Sequence, residues 1–286
     1  MSEILLCCDL DRTVLPNGLQ PESPHVREIF RQVIDRCDIT LAYVSGRDKA
    51  LLQAAIEEYD IPVPHYAIGD VGTSLYHIQD GEWHHVQDWT QHLAQEWNEA
   101  LRNRILDSVS SQPELRLQEP HKQGPFKISF YCDPQILTTT FIQQIEKRLA
   151  DANTNASLIH SVDETTQTGL LDILPSRASK RHAIEFLLDY LHRSLTDTVF
   201  AGDSGNDLPV ITSPIPSVLV KNALDSIKQQ ATQHAGELGL ADACYIAQGD
   251  WLGLNGFYCA GVLEGLVHYH PTLQDVIMDV INSING

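Results

Sequence analysis

The apolar run Ile4–Cys8 stops on Asp9, and a second acid follows at Asp11. Such a run, closed by a carboxylate, reads as a buried strand whose polar end comes out at the edge of a sheet. Runs of the same kind recur at Thr40–Val44, Tyr66–Ile68, Thr198–Ala201, Ser217–Val220 and Cys244–Ala247. Helical patterns lie near them, among them Pro24–Arg36 and Asp48–Tyr59. Strands covered on both faces read as continuous apolar runs, which is the mark of a parallel sheet. Their alternation with helices predicts an α/β fold with a Rossmann-like parallel-sheet core.

The middle of the chain follows another pattern. A helix is expected at Gln91–Asp107, a strand at Lys127–Tyr131, a helix at Leu137–Ala150, then strands at Ser157–His160 and Leu170–Leu174. This predicts an inserted α+β domain, residues 82–175, between core halves 1–81 and 176–286, with crossings near Asp80-Gly81 and Pro175. At about 150 residues per domain, the length of 286 residues suits one large domain or two modest ones.

Charge narrows the partners. Lys and Arg total 19 against 38 Asp and Glu, a net charge of −19. Nucleic acids and anionic membranes call for clustered cations, so neither is expected as a partner. No apolar run approaches the roughly 20 residues that span a bilayer. Ile4–Cys8 follows Glu3 rather than a basic stretch, so no signal peptide is expected. The six cysteines lack CxxC spacing and are read as thiols of a reducing cytoplasm, not a disulfide frame or zinc site.

Ligands of an open parallel sheet collect beyond the carboxyl ends of its strands. Three polar clusters fall there. In Asp9-Leu10-Asp11-Arg12-Thr13, a period of two puts both carboxylates on one side. One can attack phosphorus while the other gives and takes a proton. Two anions so close call for a cation, and oxygen ligands suggest Mg²⁺. Ser45-Gly46-Arg47 offers a hydroxyl and helix-opening N–H groups to a phosphate, although a turn and cap would look the same. Gly202-Asp203-Ser204-Gly205-Asn206-Asp207 suits a metal and its waters. A calcium loop is excluded, because its Gly and Glu positions fall on Leu208 and Pro214 counted from Asp203. Lys180 opens a helix, where it could neutralise phosphate or simply face solvent.

These segments, in this order, resemble the haloacid dehalogenase superfamily of phosphatases. The resemblance implies Asp9 as nucleophile and Asp11 as general acid and base. Asp9, the backbone carbonyl of Asp11 and Asp203 would bind Mg²⁺, with Asp207 supporting its water shell. Ser45, Gly46, Arg47, Lys180 and Asn206 would hold the phosphate, Ser45 and Lys180 taking part in catalysis. The insert resembles the C2 cap of the Cof-like subfamily. Gly69–Tyr76, Phe126–Phe130, Leu171–Pro175 and Val220–Ala223 are similar to sucrose-phosphate phosphatases. That likeness implies sucrose 6-phosphate as substrate, with Lys127 and Asp172 bonding sugar hydroxyls. Arg12 stands where the family more usually has Asn or Gly, and its side chain is expected to point away from the phosphate.

Other readings are a phosphatase for another phosphorylated disaccharide or glycoside such as mannosylfructose phosphate, a phosphate-moving mutase, and a non-catalytic partner of a glycosyltransferase. The paired Asp9 and Asp11 argue against the last, since binding alone does not need both. His84, His85 and His92 lack carboxylate or cysteine partners at metal-ligand spacing. Trp83, Trp89 and Trp97 are expected to pack a helix onto the inserted sheet. Trp251, in the long segment Asp250–Gly256, could reach the cleft.

Overall fold

The computed structural model describes residues 3–163 and 166–285. The chain forms two compact units, residues 1–85 with 180–286, and residues 86–179. The larger carries β1 (Ile4–Cys8), α1 (Val26–Arg36), β2 (Ile39–Val44), α2 (Lys49–Glu58), β3 (Tyr66–Gly69), β4 (Ser74–Gln79) and β5 (Glu82–His85). The smaller carries α3 (Gln87–Ala94), α4 (Glu99–Val109), β6 (Arg116–Leu117), β7 (Ile128–Cys132), α5 (Thr139–Asp151), β8 (Ala156–Asp163) and β9 (Thr168–Pro175). The chain then returns to the larger unit with α6 (Lys180–Tyr190), β10 (Thr198–Gly202), α7 (Leu208–Ile211), β11 (Ser217–Leu219), α8 (Asp225–Glu237), β12 (Cys244–Ile246), α9 (Cys259–Tyr269) and α10 (Gln274–Asn285).

The larger unit is built on an eight-stranded sheet in the order β12-β11-β10-β1-β2-β3-β4-β5. Strands β12 to β3 run parallel, and β4 and β5 turn antiparallel. All five residues of β1 are buried, because neighbours and helices cover both faces. Chain order runs outward from β1 on one side and from β10 on the other. The pair β1/β10 is therefore the switch point where α/β sheets bind ligands.

The smaller unit has an antiparallel sheet, β6-β7-β9-β8. Ile128, Leu171 and Ile173 are 0% exposed on one of its faces. Register sets Ser129 opposite Asp172 and Ile128 opposite Ile173. Period-two alternation then puts Lys127 and Asp172 on the same, other face.

Several elements depart from the sequence reading. Asp80 and Gly81 (φ 52° and 81°) form the two-residue turn of the β4–β5 hairpin rather than a crossing. The chain passes from one unit to the other at His85/Val86 and back at Ser179/Lys180. Trp83 belongs to β5, whereas Trp89 and Trp97 are buried in the smaller unit. The single helix expected at Gln91–Asp107 is two, because Asn98 starts a new one by accepting from the Leu101 N–H at 2.9 Å. Helix α1 begins at Val26, since His25 is left-handed (φ 57°).

Helix α9 is buried on every side, as an apolar helix inside a core should be. A β-carbon at Gly265 would lie 2.5 Å from Val218 of β11. Gly265→Ala is expected to lower the unfolding free energy by about 1–3 kcal/mol through overpacking, measured by urea denaturation. An unchanged midpoint would contradict this packing.

Candidate active site

Asp9 follows β1 directly, and its N–H still donates to Ala201 of β10 at 2.9 Å. Cys8 lies opposite Ala201, so Asp9 and Asp203 emerge side by side. The turn after β10 then folds back. Asp207 Oδ2 accepts from the Asp203 and Ser204 N–H groups and the Ser204 hydroxyl, each at 3.1 Å. Gly202 permits this, because a β-carbon there would lie 2.7 Å from the Asp207 carboxylate.

Lys180, at the start of α6, joins the two turns. Its Nζ donates to Asp9 Oδ1 and Asp207 Oδ1 at 2.8 Å each, and to Asn206 Oδ1 at 3.4 Å. Asp9, Lys180, Asp203 and Asp207 are 5%, 4%, 3% and 0% exposed. Asp9, Asp203 and Asp207 each offer an oxygen within 4.8 Å of the others. Among the described residues no other group of three or more His, Cys, Asp or Glu converges in this way. An all-oxygen, anionic donor set fits a hard divalent cation such as Mg²⁺.

Burial raises the Asp9 pKa to about 7; Lys180 opposes the rise, while Asp207 and Asp203 add to it. Burial also raises Asp203 to about 6, helped by Asp207 and opposed by Arg12 and Lys180. Lys180 is shifted upward, because Asp207 and Asp9 outweigh the burial that would lower it.

The Asp11 carboxylate lies outside this cluster, in a two-pronged grip. Arg47 Nε donates to Oδ2 at 2.9 Å and Arg47 Nη2 to Oδ1 at 2.7 Å. Asn17 Nδ2 adds a bond to Oδ1 at 2.7 Å. Burial alone would raise the Asp11 pKa, but these donors hold it below the usual carboxylate range. Ser45 follows β2 directly and is 1% exposed; its Oγ accepts from the Arg47 N–H at 3.2 Å, across Gly46. Lys127 and Asp172 belong to the smaller unit.

Three residues the sequence reading left without a role stand close by. Asn17 looks like a turn residue before Gly18, yet it holds both Asp11 and the Arg12 N–H. Asn222, in the Val220–Ala223 segment, donates to the Arg12 carbonyl at 2.6 Å and accepts from the Tyr258 N–H at 3.0 Å. Arg12 brings its Nε to 3.3 Å from Asp203 Oδ2. Its left-handed backbone (φ 61°) accounts for Asn or Gly at this position.

Trp251 packs against the apolar core of the larger unit. Its loop is anchored by buried Glu264, which accepts from the Tyr245 hydroxyl and the Gln248 and Gly249 N–H groups. His85 lies against Tyr76 and His92 against Trp89. No helix among the described residues is long and apolar enough to cross a membrane.

The sequence profile of the sucrose-6F-phosphate phosphohydrolase family matches residues 2–270. The chain belongs to this family. It is thus a phosphomonoesterase of the haloacid dehalogenase superfamily. A Nitrosococcus oceani protein, described no further than as a HAD-like hydrolase, is 48% identical over 274 residues, 94% of this chain and 72% of that one. The mannosylfructose-phosphate phosphatase of Agrobacterium fabrum is 30% identical over 230 residues, 80% of this chain and 87% of that one. The sucrose-phosphatase of Synechocystis, solved with sucrose and phosphate, superposes with a TM-score of 0.73 at 25% identity, over 94% of this chain and 99% of that one.

The raised carboxylates carry a stability signature. The folded family member keeps protons on Asp9 and Asp203 that the unfolded chain releases in the ordinary carboxylate range. Their contribution is full below that range and lost as pH rises through about 6 and about 7. In chelator, the wild-type Tm is expected to fall between about pH 5 and about pH 8 more steeply than that of Asp203→Asn. Equal slopes would count against the raised values.

Proposed function

We propose that this phosphomonoesterase hydrolyses a phosphorylated disaccharide, sucrose 6-phosphate foremost, through an aspartyl-phosphate. The observation that carries the reading is the buried junction of Lys180 with Asp9 and Asp207 beside Asp203, at the β1/β10 switch point. An Asp9 oxygen attacks phosphorus, and the bond from phosphorus to the sugar oxygen breaks. Asp11 supplies the proton that the departing alkoxide takes. It later accepts one from the water that cleaves the acyl phosphate, restoring Asp9 and releasing phosphate. Since Arg47 holds Asp11 charged, Asp11 must leave that grip before it can carry a proton.

Lys180, Ser45 and Asn206 hold the transferring group, joined by the Gly46 and Arg47 turn. Charge neutralisation and alignment are the main demands of phosphoryl transfer. Asp9, Asp203 and the Asp11 carbonyl would hold Mg²⁺, with Asp207 behind its waters; the cation would offset negative charge on the phosphoryl oxygens. The smaller unit serves as a C2-type cap for sugar selection. In support, Lys127 and Asp172 share a face of its sheet and can bond sugar hydroxyls. The cytoplasm is the compartment that suits six unpaired cysteines. A glycosyltransferase acting on a sugar phosphate is the class of enzyme that would supply the substrate, and it is the partner this reading suits.

A second reading, mannosylfructose phosphate as substrate, is favoured by the Agrobacterium relative. Phosphate release over a panel of phosphorylated mono- and disaccharides separates the two. Sucrose 6-phosphate is expected to give the highest kcat/KM, and Asp9→Asn to reduce it at least about 10⁴-fold while the protein stays folded. A better rate with mannosylfructose phosphate selects the second reading, and retained turnover in Asp9→Asn sinks both. Chelation is expected to abolish phosphate release and added Mg²⁺ to restore it; activity indifferent to chelator refutes the cation.

A further inference from the structure

Arg12 has a backbone fixed on both sides. Its N–H donates to Asn17 Oδ1 at 2.8 Å, and its carbonyl accepts from Asn222 Nδ2 at 2.6 Å. Asn222 is itself 4% exposed and tied to the Tyr258 N–H. Residue 12 is thereby held left-handed, at φ 61°, a conformation that L side chains rarely adopt. The guanidinium is delivered to the acidic cluster, with Nε 3.3 Å from Asp203 Oδ2. That nitrogen makes no hydrogen bond of ordinary geometry among the described residues, so the contact is one of charge alone.

The charges around the cluster give this contact meaning. Asp9, Asp203 and Asp207 converge, and Lys180 bonds only the first and last of them. Asp203 makes its ion pair with Arg12, with Lys180 acting on it from further off. Arg47, the other guanidinium nearby, is occupied by Asp11. A fixed positive charge beside Asp203 repels a divalent cation arriving at the same carboxylate. It also attracts the dianion that follows.

We propose that Arg12 sets the balance of the site between its two ligands, weakening the divalent cation and strengthening the phosphate that binds after it. Its role is to tune the site electrostatically; it takes no part in bond making. The inference rests on the cation-assisted phosphatase reading above. Asn tolerates the left-handed backbone, so Arg12→Asn removes the charge and keeps the turn. Arg12→Lys keeps the charge.

The test is isothermal titration calorimetry of the full chain, first with MgCl₂ and then with inorganic phosphate at saturating Mg²⁺. Relative to wild type, Arg12→Asn is expected to bind Mg²⁺ about three- to tenfold more tightly and phosphate more weakly by a similar factor. Arg12→Lys should stay close to wild type in both. Both gaps should narrow as salt rises, because the side chain is 39% exposed. A merely structural role would weaken both ligands together, and that result overturns the proposal. So does an Arg12→Asn variant with both constants unchanged, or with only one of them shifted. A wild type that takes up no Mg²⁺ overturns the cation reading and this inference with it. A wild type that binds Mg²⁺ normally, beside a variant identical to it, overturns this inference alone.

Discussion

Like charge crowded into a place without water is the constraint around which the larger unit is arranged. Asp9, Asp203 and Asp207 are all buried within reach of one another. Water cannot screen them, and each would be costly to ionise alone. Lys180 makes the arrangement tenable by bonding two of them, and Arg12 attends the third. Burying an ion pair gives little net stability, but removing one partner leaves a buried charge uncompensated. The cluster is thus not by itself a source of stability.

The backbone around the cluster serves to hold it still. Asp207 is fixed through Oδ2 by its own turn, which leaves Oδ1 for Lys180. Gly202 gives the room. Asn222 and Asn17 hold the turn after β1 from opposite sides. Asn255 in turn bonds Ser23 and Pro21, tying the late loop to the segment after that turn. Preorganised charge of this kind is what phosphoryl transfer asks of a protein.

Much of this could be read from the residues. Strands such as Ile4–Cys8 are buried on both faces, so their side chains are apolar without a break, and the acids that follow them converge. The β4–β5 hairpin escaped because Asp80-Gly81 is equally at home in a linker and in a tight turn. The exposed residues of β5 also show no apolar run. Asn98 hid a helix start inside one periodic stretch. The approach of Arg12 to Asp203 depends on a left-handed backbone that Asn17 and Asn222 hold from 5 and 210 residues away. Long-range hydrogen bonds of that sort leave no local pattern to read.

The pairing of β1 with β10 bears on how the protein is made. Leu5 sits opposite Thr198, and the whole smaller unit lies in the chain between them. During synthesis β1 has no β10 beside it until the chain has grown past Gly202. Asp9 then waits as long for Lys180 and Asp207. Closing so long a loop costs entropy, but only logarithmically in its length. If residues 86–179 have already collapsed, the two ends start closer together. The acidic cluster therefore cannot come together until the whole smaller unit has been synthesised.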